Sequence, residues 1–567
     1  MDLGRRRGLV VPLWSVLLAV LLLGPALAPG YVLTYDMVWV PDLALRSDAL
    51  GTGSGLPRAV PSDAVVAVLD DVVPGMVLQK LVLLGSLVVG GLGAARLAPR
   101  GSLLGALAAV TLWQWNPLVV ERLGLGHWPV LLGYAALPWL VGAARRWREE
   151  GRMPGVLALL VVVGSLSASA GLATAAVLLV LATRREPVQV ARVAAVALLA
   201  NAPWLVAGLL HAGAALGDPA GAAVFALADE GALPGPLAAL GLGGAWNAEV
   251  LPASRAGAAA WVSTGVLVLL AAVGWRGWWR RVGTREAGGL LVLWLLGWGT
   301  AVATWLAPGA LGWLAATVPG AGVVRDGARV LVLCAPLLVP VVAQGVVEVR
   351  AWVVRAWPGR LPLAPGLVVG ALLTTWPVTL MPDVAGDLRA VSYPSSYEQA
   401  RAAVAAAGPG DVLVLPLSPF RAPAWNGGRT VLDPLGRYLG RDHVAGDELV
   451  VSGVAVAGED PRARRAAQAL SAADAASRSE ALAASGIGVV VRDRTAPGGR
   501  DDASVELAGR ELLRTQDLVV TEVAGAGGRR APASWVVAMV VAWAAWLALL
   551  AAAAGRAWQR VRTSRYR

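Results

Sequence analysis

Carboxylates and arginines recur in this chain at a few short connections between long apolar runs. The first connection, residues 31–71, opens with Tyr31-Val32-Leu33-Thr34-Tyr35-Asp36-Met37-Val38-Trp39 and carries Asp36, Asp42, Asp48, Asp63, Asp70 and Asp71 against only Arg46 and Arg58. A second holds Asn116, Glu121, Arg122 and His127, a third Arg325, Asp326 and Arg329, and Asn201 and His211 lie by another. Carboxylates beside arginines at a membrane surface suit transfer of a sugar from a lipid phosphate. A carboxylate takes the proton of an acceptor hydroxyl, and guanidinium groups hold the phosphate that leaves. Phosphate departs as a stable anion, so a second carboxylic acid is not obligatory, unlike in glycoside hydrolysis.

The rest of the chain must bring these connections to one face. With 57% hydrophobic and 15% charged residues and a mean hydropathy of +0.64, it is too apolar for a soluble protein and long enough for many membrane spans. The net charge of +11 does not point to nucleic acid, because the arginines cluster between apolar runs, where the positive-inside rule places them. The single cysteine, Cys334, excludes an internal disulfide and a cysteine-based metal site.

Arg5, Arg6 and Arg7 precede an apolar run over residues 9–28, so the N-terminus is expected in the cytoplasm and this segment is expected to cross outward. Ala26-Leu27-Ala28 resembles a signal-peptidase site. A retained helix is expected instead, because an even number of spans then keeps both termini inside. Further spans are expected over residues 74–95, 102–120, 128–144, 190–210, 258–275, 288–306, 330–347, 361–381 and 533–554, with two short ones joined by a tight turn within 153–183, for about twelve in all. Every inner loop so defined is arginine-rich, while the outer loops hold mixed or acidic charge. No span places an ionisable group near its midplane, which argues against a pump or secondary transporter.

The fold expected is therefore mostly α, a polytopic membrane helical bundle over residues 1–382, followed by a small extracytoplasmic α/β domain over 383–530 and a last span with a basic cytoplasmic tail over 531–567. In that domain residues 412–415, 449–451, 489–491 and 518–523 read as short buried strands, and 396–407, 462–473 and 505–514 as amphipathic helices. Trp425-Asn426-Gly427-Gly428-Arg429 reads as a structural turn, with a sugar-stacking surface as the alternative.

The run Trp115-Asn116-Pro117-Leu118-Val119-Val120-Glu121-Arg122-Leu123-Gly124-Leu125-Gly126-His127-Trp128, followed by Leu132-Gly133-Tyr134-Ala135-Ala136-Leu137-Pro138-Trp139, resembles actinobacterial arabinofuranosyltransferases of the AftD type. It is also similar to YfhO-like membrane proteins, as is Pro319-Gly320 followed by Arg325-Asp326 and Arg329. The resemblance covers roughly the first 380 residues. It implies a GT-C-fold glycosyltransferase that uses a polyprenyl-phosphate sugar donor and a cell-envelope glycan or lipid acceptor, with the catalytic carboxylate in the first outer loop. That implication selects Asp36 as the base, with Asp42 in reserve, and Arg58, Asn116, Glu121, Arg122, His127, Arg325, Asp326 and Arg329 as substrate-binding residues. Two departures accompany it. The long carbohydrate-binding extension of the large enzymes is missing. No adjacent acidic pair in the first loop mimics the metal-binding motif of the oligosaccharyl branch, since Asp70-Asp71 starts the second span, so no cofactor is assigned and a divalent metal stays an open alternative.

Each residue also has a plainer reading. Asp36 reads as a solvated loop aspartate, Glu121-Arg122 as an ion pair that fixes a turn, His127 as an aromatic-belt residue, and Arg325 and Arg329 as arginines snorkelling to lipid headgroups. The rival functions are a non-catalytic envelope protein that binds polysaccharide or partner proteins through its outer domain and, third, a translocase, which the lack of a charged path across the membrane weakens.

Overall fold

A computed structural model describes residues 3–214, 217–356, 386, 388–496, 505–528 and 531–565. The membrane part is built from α1 (Leu3–Leu23), α2 (Gly75–Leu97), α3 (Leu103–Gln114), α4 (Pro117–Gly124), α5 (Trp128–Glu150), α6 (Gly155–Gly164), α7 (Ala168–Ala182), α8 (Pro187–Leu210), α9 (Ala258–Val282), α10 (Thr284–Leu306) and α11 (Ala335–Ala356). Eight helical segments among the described residues are long and apolar enough to cross a membrane, α3 and α4 counting together as one. The expected span over 128–144 lies in α5, whose last turns carry Arg145, Arg146, Arg148, Glu149 and Glu150, and the one over 361–381 lies outside the described residues.

The stretch 153–183 is two short helices of 10 and 15 residues, α6 and α7. They enter and leave at one end of the bundle, since α6 follows directly on α5 and the far end of α7 receives Arg148 Nη1 on Leu181 O at 3.2 Å. The break between them reaches the other end, where Ser169 meets Arg329.

Small residues let the helices approach closely, as in other membrane bundles. A Cβ on Gly345 of α11 would lie 2.0 Å from Leu270 O of α9, and one on Gly274 2.2 Å from Val341 O. A buried polar knot ties three helices together: the Gln114 amide on α3 donates to Ser15 Oγ of α1 at 2.7 Å and to Leu87 O of α2 at 2.9 Å.

The α/β unit begins with β2 (Ala390–Val391) and α12 (Ser395–Ala406) and ends before the last membrane helix, Ala533–Arg565. Its sheet is formed by β3 (Asp411–Leu415), β6 (His443–Val444), β9 (Ile487–Asp493), β10 (Arg510–Arg514) and β11 (Leu518–Glu522) in the order β10-β11-β9-β3-β6, with β3 parallel to both β6 and β9. Alternate side chains of the central strands are buried on opposite faces. Leu413, Leu415 and Val490 pack with Ala466 and Leu482 of the helices Pro461–Leu470 and Ala475–Ala484, while Val412, Val414 and Val489 join the core that continues into the membrane bundle.

Two local expectations are corrected. Within 505–514, read as a helix, residues Arg510–Arg514 form the edge strand β10, where pairing with β11 outweighs the helical spacing of the apolar residues. Residues 449–451 are not a buried strand but one arm of a hairpin, β7 (Leu449–Val451) with β8 (Val454–Val456), and Val450 lies largely in solvent.

The α/β unit is seated on the first loop. β1 (Tyr31–Val32) pairs with β2, and Tyr31 and Trp425 pack against Tyr393 at ring-centroid distances of 5.6 and 5.2 Å. Half of the loop's six aspartates are spent on this contact. Asp42 pairs with Arg401, Asp48 with Arg462 at 3.5 Å and Asp63 with Arg437 at 3.1 Å. Residues 425–429 form a turn with Gly427 and Gly428 at positive φ, and Trp425 belongs to the aromatic cluster.

Candidate functional site

Asp36 is the loop aspartate that turns toward the membrane helices rather than the α/β unit. Its segment is held from three sides. The amide of Gln79 on α2 clamps the start of the loop, accepting from Val32 N at 2.9 Å and donating to Val32 O at 2.7 Å. Tyr35 N donates to Thr430 O, and Leu432 N of β5 (Val431–Leu432) donates to Tyr35 O, both at 2.8 Å, which holds Tyr35 at a φ of 40°. Asp36 N donates to Leu125 O at 3.1 Å, and Thr34 Oγ1 to Gly124 O at 2.8 Å, just beyond and at the end of α4.

The sequence around α4 explains why this end is so well placed. Asn116 caps the helix, accepting from Val119 N at 3.1 Å, and its amide donates to Leu112 O and Trp113 O at the end of α3. Pro117 follows at the first helical position. The chain then turns at Gly126, whose φ of +75° any other residue adopts only with strain, and a Cβ there would lie 2.2 Å from Met37 N. Gly126→Ala is therefore expected to destabilise the protein by more than the roughly 1–3 kcal/mol that a left-handed non-glycine residue costs. Gly101→Ala is the control, since Gly101 has a φ of +78° but nothing within 4 Å of its Cβ position. Thermal unfolding of the two variants separates the clash from the backbone strain.

From this frame a polar chain runs inward. His127 Nε2 lies 3.1 Å from Asp36 Oδ2, and His127 Nδ1 lies 3.1 Å from Arg122 Nη1. A guanidinium only donates, so Nδ1 must accept, and the imidazole proton sits on Nε2 and is donated to Asp36. The histidine is neutral in this network. Arg122, with none of its side chain exposed, also donates to Asp326 at 2.8 and 3.4 Å. Asp326 receives Arg329 Nη2 at 3.2 Å and caps its own helical turn by accepting Arg329 N at 3.1 Å. Arg329 Nη2 lies 3.4 Å from His127 Nε2, and Nη1 donates to Ser169 Oγ at the N-terminus of α7 at 3.4 Å. Asp36 and Arg329 thus flank one imidazole nitrogen, and they are also where the chain meets solvent: 50% of the Asp36 side chain and 29% of that of Arg329 are accessible, against 6% for Asp326.

The charges settle accordingly. Crowding pushes the Asp36 carboxyl up, but the hydrogen bond and charge of His127 and the charges of Arg329 and Arg437 outweigh it and leave the group below its ordinary range. Burial likewise opposes ionisation of Asp326, yet Arg122 and Arg329 hold it well below the usual carboxylate value. Burial lowers His127, and Arg329 and Arg122 lower it further, more than Asp36 raises it.

The sign of the pH dependence follows. A histidine whose folded value lies below 6.5 leaves stability unchanged above that pH and loses it on acidification, because only the unfolded chain takes the proton. The buried Asp326 carboxylate contributes stability above 3.8 that is lost as pH falls toward its lower folded value, and the half-exposed Asp36 adds only a small share. Melting temperature is expected to be flat from about pH 8 to 6.5 and to fall below it in two stages. His443, lowered by burial and by Arg46, shares the first stage, so His127→Gln shrinks that stage without removing it.

The other predicted site residues lie elsewhere. Arg325 does not face Asp36: it pairs with Glu459 of the α/β unit at 2.8 Å and lies over the Phe225 ring at 4.9 Å. Arg58 pairs with Asp447 at 2.9 Å. Glu121 points away from Asp36 toward Glu230, itself paired with Arg255, and neither of its carboxylate oxygens meets a donor among the described residues. Asp42 lies with Asp70 and Asp71 in a trio whose ligand atoms fall within 4.8 Å of one another, the one grouping among the described residues with spacing suited to a metal. Reading the sequence missed Ser169, whose signal was a polar run inside an apolar stretch, and Arg437, whose guanidinium bonds Asp63 and Val38 O near Asp36 and left no signal.

No family model and no curated protein matches the chain. Among solved structures, it superposes on the arabinofuranosyltransferase AftD from Mycobacteria with a TM-score of 0.52 at 17% identity, covering 93% of this chain and 40% of that one. Two structures of a variant of the same enzyme match with TM-scores of 0.49 and 0.47 at 17% and 19% identity. The likeness is one of fold, and the chain spans less than half the length of that enzyme.

Proposed function

We propose that this protein is a membrane glycosyltransferase that moves a sugar from a polyprenyl-phosphate donor to a cell-envelope glycan or lipid acceptor on the outer face of the plasma membrane. Both termini then lie in the cytoplasm and the α/β domain outside. The observation that carries the reading is the pairing, around one histidine, of an accessible carboxylate with an accessible guanidinium. The fold shared with AftD adds arabinofuranose as the sugar to test first.

In the reaction the acceptor oxygen bonds to the anomeric carbon as its O–H proton passes to Asp36. The anomeric C–O bond to phosphate breaks, and its electron pair leaves with the phosphate, whose charge Arg329 meets. Displacement in one step inverts the anomeric centre. His127, through its Nε2–H, positions Asp36 and keeps it ionised. Arg122 and Asp326 position His127 and Arg329 in turn.

The test is turnover by the full chain in lipid nanodiscs with polyprenyl-phosphoryl arabinofuranose and an oligoarabinoside acceptor. Acceptor-dependent release of polyprenyl phosphate is expected. Saturable glycan binding without release from any pentose or hexose donor would instead support a non-catalytic binding protein.

A further inference from the structure

We infer that the chain carries a second anion site, at the end of the bundle opposite Asp36, shaped for the phosphate-bearing headgroup of an anionic lipid. A cavity of about 660 Å³ lies there between the ends of α2, α5, α9 and α10. It is one helix length from the candidate site, because α5 begins beside His127 and runs for 23 residues, roughly 35 Å of rise.

Seven arginines line the cavity against two glutamates. Both acids are already partnered, Glu286 by Arg145 at 3.4 Å and Glu149 by Arg148 at 3.5 Å. Among the described residues, five more guanidinium charges than carboxylates therefore converge on one space. The Arg96 guanidinium carbon lies over the Trp139 ring, 4.3 Å from its centroid, a cation–π contact that holds the charge at this wall of the cavity. Arg285 donates to Thr183 O at 2.7 Å and sits in the first turn of α10, where the helix dipole disfavours a cation. The residue capping that turn, Gly283, offers no side-chain acceptor, so the helix N-terminus adds its own positive end to the same space.

The positive-inside rule accounts for arginines at this membrane face but not for their convergence from four helices on one cavity. An anion with two phosphates or more relieves the repulsion through forked guanidinium contacts. The source is a lipid rather than a free phosphate because of depth. The cavity takes Trp139, a residue type that marks the headgroup level, into its lining, and it has an apolar wall in Leu97, Pro138 and Val282.

The test is native mass spectrometry of the full chain, delipidated in neutral detergent and titrated with cardiolipin, phosphatidylcholine or inorganic pyrophosphate. Cardiolipin is expected to bind, and the double variant Arg100→Gln/Arg146→Gln to weaken it about tenfold or more. Arg350→Gln/Arg355→Gln, on the same face but outside the cavity, is expected to leave it unchanged. Equal loss in both double variants, or equal binding of phosphatidylcholine, overturns the site. Displacement of cardiolipin by pyrophosphate at equal concentration overturns the lipid assignment. Where the first double variant does not fold, Arg285→Gln alone is expected to weaken cardiolipin about threefold, and undiminished binding overturns the site.

Discussion

Asp36→Asn is expected to lower acceptor-dependent turnover by about 10²–10⁴-fold, the range that a positioned general base contributes, while melting temperature changes little. The asparagine keeps the size of the side chain and still offers an oxygen to the Nε2–H of His127, which Asp36 Oδ2 receives at 3.1 Å. What it loses is the ability to take a proton. Half of the Asp36 side chain is exposed, so removing its charge leaves no buried group stranded. A large kinetic effect without a stability effect distinguishes a base from a loop anchor. Asp42→Asn is the contrast: its partner is Arg401 of the α/β unit, and little loss of turnover is expected.

Asp326→Ala is expected to have the opposite profile, a loss of about 3–5 kcal/mol in stability, because it leaves the fully buried Arg122 without its carboxylate. The same change removes the cap that accepts Arg329 N. Turnover falls as well, since Arg329 and His127 lose the groups that orient them. A double replacement, Arg122→Leu/Asp326→Leu, removes both charges together and is expected to recover much of the stability, as apolar replacements of buried ion pairs do elsewhere. It is not expected to recover turnover, because His127 would lose the donor that fixes its tautomer. Thermal unfolding and turnover on the same preparations separate the two effects.

Several residues of the candidate site drew notice because they sit at breaks in otherwise apolar patterning. Asn116-Pro117 ends one helix and starts the next, and Gly126 turns the chain back, so Arg122 and His127 stood out as polar groups at a sharp corner. That Asp326 and Arg329 meet them was not readable from spacing, since some 200 residues separate the partners. Arg325 shows the limit most clearly. It lies four positions from Arg329 and has the same chemistry, yet the intervening turns aim it at Glu459 instead. The acidity of the first loop, the most conspicuous signal in the sequence, reports in three of its six aspartates the docking of the α/β unit through Arg401, Arg437 and Arg462. Central strands such as Ile487–Asp493 were legible from their unbroken apolar runs, whereas the edge strand Arg510–Arg514 was not, because its form comes from its neighbour β11.

The central claim is that Asp36 does the chemistry and Arg329 holds the phosphate within one site. The most direct measurement is the affinity of a non-cleavable polyprenyl-phosphonate sugar for the wild type, Asp36→Asn and Arg329→Ala in nanodiscs. The account predicts saturable binding that Asp36→Asn leaves within about twofold and Arg329→Ala weakens by roughly tenfold or more, the loss of a charge-assisted phosphate contact. Binding that Arg329→Ala leaves intact, or that Asp36→Asn abolishes, would contradict it.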